Sequence, residues 1–181
     1  LVLIPAGVLV ARGLAYADFR GKSIVEAAIA IPLVLPPTVL GYYLLTAMGG
    51  ASPLGAFYER MTGSPLAFSF EGLLVGSLIF NLPFALIPME RAFESIPVEV
   101  RQAAECCGLS WQRTMWRIEL PLAWPGIVSA LVMTIAHTVG EFGVVLMVGG
   151  NIPGETRTIA ISIYDRVQAF DMGAAGAMSA F

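Results

Sequence analysis

The chain has 181 residues, 57% of them hydrophobic and 13% charged, and a mean hydropathy of +0.78. Soluble domains carry about 25% charged residues, so this is the composition of an integral membrane protein. Its hydrophobicity excludes a disordered chain, and a net charge of −3 argues against a nucleic-acid partner. Its two cysteines, Cys106 and Cys107, are adjacent, which excludes a disulfide scaffold.

In chain order, the first apolar run is Leu1–Val10 and the last is Met172–Phe181. Each supplies about half of the ~20 residues that a helix needs to cross a bilayer, so partial spans are expected at about 1–10 and 170–181. A signal peptide fits the first run poorly, because no basic segment precedes it. Between them three stretches are long enough to cross. Ala27–Met48 carries no charge, Gly72–Met89 is uncharged for 18 residues, and Leu120–Gly140 is uncharged apart from His137, its apolar pattern continuing to Val148. The expected spans are about 24–48, 71–90 and 124–148, in one transmembrane domain covering 1–181. Pro32, Pro36, Pro37, Pro83, Pro88 and Pro125 fall within these spans; membrane helices tolerate proline where neighbours satisfy the freed carbonyls.

The connections 11–23 and 91–123 hold Arg12, Arg20, Lys22, Arg91, Arg101, Arg113 and Arg117, whereas 49–71 and 149–171 hold only Arg60, Arg157 and Arg166. The positive-inside rule places the first pair in the cytoplasm, where a reducing environment keeps Cys106 and Cys107 as thiols.

The connection 91–123 reads as a structured elbow over 95–121. Pro97 and Glu99 suit the first turn of a helix that runs to Cys107, and Gly108 supplies a left-handed stop. Ser110 is placed to cap a second helix over Trp111–Ile118, with Pro121 and Pro125 expected to end it. Four arginines face four glutamates here (Glu94, Glu99, Glu105, Glu119), with no histidine and no metal spacing. The apolar members Ala103, Ala104, Cys106, Leu109, Trp111 and Met115 form either a patch for a protein partner or a surface packed beneath the chain's own helices.

Gln102-Ala103-Ala104, then Gly108, then Ile118-Glu119-Leu120-Pro121 resembles the EAA loop of ABC importer permeases, E-A-A, x3, G, x9, I-x-L-P, in every spacing. Gln102 stands where that pattern has Glu. The resemblance implies an all-α type I importer permease whose elbow seats in a separate cytoplasmic ATPase through Gln102, Ala103, Ala104, Glu105, Gly108, Leu109, Trp111, Leu120 and Pro121. It also implies a homodimer in the plasma membrane of a prokaryote. Gly21-Lys22-Ser23 lacks the earlier glycine of a phosphate-binding loop, since Tyr16 stands in its place. This chain is therefore not expected to be an enzyme or to hold a cofactor; ATP and Mg belong to the partner.

Ile31–Tyr43 looks like the oxyanion branch of these permeases, and Gly140-Glu141-Phe142-Gly143 with Gly149–Thr158 is similar to its molybdate and tungstate members, sulfate or thiosulfate being the alternative. Thr134, His137, Thr138 and Glu141 fall at i, i+3, i+4 and i+7, one polar stripe on an apolar helix. They either line a translocation path or fix helix packing. Because a carboxylate repels an oxyanion, His137 and Glu141 are read as a structural pair, with Thr134 and Thr138 facing the pore. Thr38, Ser77 and Asn81 are further pore candidates, although Asn81 is equally suited to satisfy a carbonyl freed by Pro83. No basic residue lies within a span, so tight oxyanion selection is assigned to an extracytoplasmic binding protein. Arg60, Arg157 and Arg166 are its candidate contacts, or else solvated loop charges. An intramembrane enzyme would need paired catalytic groups, and His137 with Glu141 is the sole pair; a non-transporting sensor with the same fold is the other rival.

Overall fold

The computed structural model describes residues 2–180, and every regular element among them is helical. In order they are α1 (Leu3–Tyr16), α2 (Lys22–Val34), α3 (Pro37–Met48), α4 (Pro53–Thr62), α5 (Phe70–Glu94), α6 (Val98–Cys106), α7 (Trp111–Thr114), a π turn (Met115–Glu119), α8 (Leu120–Gly140), α9 (Gly143–Gly149), α10 (Ile159–Gln168) and α11 (Met172–Ser179). They form two compact units, one from Leu1–Ile31 with Asn81–Ala136, the other from Pro32–Phe80 with His137–Phe181.

The core of the first unit joins Val8 and Ala11 of α1, Leu86, Met89 and Phe93 of α5, Met115, and Ala123, Ile127 and Ala130 of α8. Helices α5 and α8 approach closely there, because Gly126 faces Ala92: a Cβ at 126 would lie 2.3 Å from that of Ala92. Small residues of this kind let membrane helices gain dispersion contacts where no hydrophobic force separates protein from lipid. The core of the second unit joins Leu40, Leu44 and Met48 of α3, Leu66, Ala67, Phe80, and Val144 and Val148 of α9.

Helix α5, at 25 residues, and the continuous helix Trp111–Gly140, at 30, are long and apolar enough to cross a membrane. Two of the three expected spans differ from a single straight helix. Within 24–48 the chain bends by 112° between α2 and α3. Pro37 opens α3, and Pro36 before it is extended at ψ 137°, as expected of a residue preceding proline. Within 124–148, α8 ends at Gly140 and α9 starts afresh at Gly143. The expected apolar continuity to Val148 is therefore in sequence only.

The elbow has the expected first helix and stop: Gly108 is left-handed at φ 72°. Two of its expected details are corrected. Ser110 occupies the position before α7, but its hydroxyl makes no cap bond; its carbonyl accepts the Thr114 N–H instead. Pro121 and Pro125 do not end the second helix, which runs on into α8. For Pro121 the π turn explains this, because the Leu120 N–H reaches back to the Met115 carbonyl. A wider turn just before Pro121 relieves the clash that its ring would make with a carbonyl four residues earlier.

Candidate functional site

The elbow presents Gln102, Ala103, Glu105 and Gly108 to the outside, with Trp111 62% exposed. Leu109 and Leu120 are half-buried, Pro121 is exposed, and Ala104 is buried. Helix α6 thus has two faces: Ala104 points inward while Ala103 and Cys106 point out. The apolar patch is thus divided, Ala104 and Met115 packed inward and Ala103, Cys106 and Trp111 left exposed.

Beneath the elbow lies a feature that loop-charge counting missed. Glu119 is completely buried. The Arg12 guanidinium grips both of its oxygens, with Nη2 at 3.1 Å from Oε1 and Nε on Oε2, and Arg101 Nε lies 3.4 Å from Oε1. Both arginines stack on aromatic faces: Arg101 sits 3.7 Å above the Tyr16 ring, and Arg12 5.4 Å from Tyr16 and 5.7 Å from Trp111. The Tyr16 hydroxyl donates to the Phe93 carbonyl at 3.2 Å, carrying the network to α5. A signal was available in the sequence, since Glu119 opens the buried stripe Ala123, Ile127, Ala130, Thr134 at helical spacing.

A second charged group also went unread. Glu26, Glu90 and Glu94 bring carboxylate oxygens within 4.8 Å of one another. Lys22 lies 3.6 Å from both Glu26 and Glu94, and Arg91 reaches Glu94 at 2.7 Å. The ammonium of Lys22 supplies a cation that such crowded carboxylates require.

In the second unit the two chain interruptions meet. A Cβ on Gly143, at the start of α9, would lie 2.8 Å from that of Pro37 at the start of α3; one on Gly41 would lie 2.8 Å from Met147. Buried Glu141 accepts the Val144 N–H at 2.7 Å, so its carboxylate serves the exposed donors at the start of α9. His137 stacks on Phe80, ring centres 4.5 Å apart. Of the pore candidates, Thr38 and Thr138 are exposed, Ser77 is half-buried, and Asn81 and Thr134 are buried. The polar stripe of α8 is therefore not uniformly accessible.

The connections 49–71 and 149–171 are folded. The hydroxyl of Ser52 caps α4 by accepting the Gly55 N–H at 2.8 Å, and Arg60 is exposed on that helix. Thr156 donates to the Gly149 carbonyl at 2.6 Å and accepts the Ile152 N–H at 2.9 Å. Arg157 donates to Asn151 at 2.8 Å and sits 3.9 Å from Asp165, and Arg166 reaches Asp171 at 3.3 Å. Two of the three arginines proposed for an outer contact thus already have local acceptors.

The model of the family described as "binding-protein-dependent transport system inner membrane component" matches residues 3–181. Among similar proteins, the molybdenum transport system permease protein ModB of Azotobacter vinelandii is 43% identical over 171 residues, covering 94% of this chain and 76% of that protein. ModB of Haemophilus influenzae is 37% identical over 165 residues, 91% of this chain and 72% of the relative. ModB of Escherichia coli K12 is 36% identical over 168 residues, at 93% and 73% coverage. With two membrane-length helices, an elbow of the right spacing and a match over nearly its whole length, the chain belongs to the inner-membrane components of binding-protein-dependent transport systems.

Proposed function

We propose that this chain is the permease subunit of an ABC importer that moves molybdate or tungstate across the plasma membrane by alternating access. The observation that carries the substrate is the similarity to ModB proteins at 36–43% identity across more than two thirds of each. Alternating access is the rocking of helix bundles between states a few kcal/mol apart. The asymmetry of basic residues supports a cytoplasmic elbow, whose exposed Gln102, Ala103, Glu105 and Trp111 meet a partner ATPase. Hydrolysis of Mg-bound ATP belongs to that partner, and this chain carries no catalytic residue of its own. Two copies enclose the pore about a closed two-fold axis, surrounded by lipid, and an oxyanion-binding protein approaches Arg60, Arg157 and Arg166.

Thr38, Ser77, Asn81, Thr134 and Thr138 offer hydroxyl and amide donors for passing oxyanions, which suits a weak and transient passage. Glu141 has a structural role at the head of α9, beside His137. The test is ATP-driven uptake of labelled molybdate into proteoliposomes holding this chain, its ATPase and loaded binding protein, with tungstate and sulfate as competitors. Uptake blocked by tungstate and not by sulfate supports the reading. Sulfate preference moves the chain to the sulfate group, and absence of any oxyanion flux identifies a sensor.

A further inference from the structure

The buried stripe of the helix leading into α8 consists of Glu119, Ala123, Ile127, Ala130 and Thr134. Its first member is a glutamate where the pattern asks for an apolar residue. A buried ion pair is a poor source of stability, because desolvating both charges offsets their attraction, and well-packed apolar side chains of similar size do as well or better. A site where sequence pattern and burial disagree marks a functional demand. The partners of Glu119 indicate what the demand is. Arg101 belongs to the elbow itself, but Arg12 belongs to α1, 107 residues away in sequence. The elbow is joined covalently to α5 on one side and α8 on the other, and α1 has no such link. The Arg12 fork on Glu119, with Tyr16 stacked under Arg101 and bonded to Phe93, connects α1 to the elbow.

We propose that Glu119 is a positioning residue: with Arg12 and Arg101 it latches α1 to the elbow, so that displacement of the elbow by the ATPase moves α1 with it. Planar guanidinium groups suit this task. A bidentate fork on a carboxylate fixes direction as well as distance, whereas apolar contacts slide. The latch lies inside the elbow and differs from its outer face. Gln102 and Ala103 are exposed, while Glu119 is buried and contacts the chain's own first helix. The proposal rests on the transport reading above for its mechanism, and on the structure alone for the tether.

The discriminating variant is the pair Arg12→Met/Glu119→Met, which removes the bidentate pair together and keeps its volume, leaving only Arg101, which is partly exposed and still stacked on Tyr16. Two measurements are made beside the wild type. The first is molybdate taken up per ATP hydrolysed in proteoliposomes containing the complete complex. The second is the distance between spin labels at Cys107, in a Cys106→Ser background, and at Ala17→Cys just after α1.

The paired variant assembles with the ATPase and hydrolyses ATP, its uptake per ATP falls about tenfold, within the usual range for coupling between two sites, and the label distance broadens. A simply structural ion pair predicts the opposite, since the Met pair would then retain both the transport ratio and a narrow distance. That result overturns the latch. If the wild-type complex moves no molybdate, the transport reading fails by itself and the latch is decided by the label distance.

Discussion

The elbow end of the first unit and the paired helix starts of the second are both places where chain segments distant in sequence touch, and they do so by different means. At the elbow, full charges meet: Glu119 between Arg12 and Arg101, and Lys22 among Glu26 and Glu94. At the helix starts, bare glycine backbone approaches apolar side chains, Gly143 on Pro37 and Gly41 on Met147, and the buried carboxylate of Glu141 bonds to a backbone N–H. Directional charge contacts hold one geometry and transmit force. Smooth contacts between glycine and an apolar neighbour have no such preferred direction and permit small sliding. The two regions therefore differ in kind, one fixed by direction and the other by space.

The comparison is broken most severely by removing one side of a charge contact. Glu119→Leu leaves two guanidinium groups facing an apolar replacement, and loss of a single partner from a buried pair costs about 3–5 kcal/mol. Thermal unfolding in detergent should show a large drop in midpoint for Glu119→Leu, which strands Arg12 and Arg101, and a smaller one for the paired Met variant, which strands only the partly exposed Arg101. Equal losses in the two would mean that the side-chain volume, and not the charge, holds the elbow.

In the second unit the sensitive quantity is space. Gly143→Ala places a methyl 2.8 Å from the Pro37 Cβ, and overpacking of this kind costs about 1–3 kcal/mol. The neighbouring backbone of Pro37 and Thr38 at 3.5 Å gives little room for relief. The expected outcome is a moderate fall in stability together with a larger fall in transport, because the two helix starts are pushed apart. A variant with full transport would show that this contact is slack in the working cycle.

How much of this was readable beforehand follows the kind of interaction. The uncharged stretches, the elbow and its left-handed Gly108 are encoded in short windows, through hydropathy and backbone preference, so composition and spacing reveal them. The bend at Pro36 and Pro37 was present as two prolines that read equally well as tolerated kinks; what decides is that a second interrupted helix packs against that point. Pro121 misled, because a proline after a π turn no longer clashes as one in a regular helix does. Glu119 was counted among balanced loop charges, since its Arg12 partner is 107 residues away and no local pattern encodes such a pair. The four-residue step to Ala123 was the available clue.

A smaller effect distinguishes capping from transport at Glu141. Glu141→Gln keeps a side-chain oxygen that can accept the Val144 N–H, now made at 2.7 Å, whereas Glu141→Ala leaves that donor bare, a loss of about 1 kcal/mol for a missing helix cap. Transport retained in the glutamine variant and reduced in the alanine one assigns the carboxylate to the backbone. Transport lost in both, with assembly and ATPase activity normal, would make its charge part of the translocation path and remove the distinction between the two regions drawn above.

The smallest expected change is the most specific to the docking face. Gln102 is exposed on α6, so Gln102→Glu should alter stability by no more than about 0.5 kcal/mol, the range of ordinary surface substitutions. It restores the carboxylate usual at this position of the loop pattern. Whatever it does must therefore appear through the partner, as a change in ATPase capture or in the stimulation of hydrolysis by loaded binding protein, with the label distance across the Glu119 latch unchanged. A shift in that distance would mean that outer face and inner latch are one mechanical element. A constant distance with altered capture separates them, leaving the outer face to choose the ATPase and the buried charges to carry its motion inward.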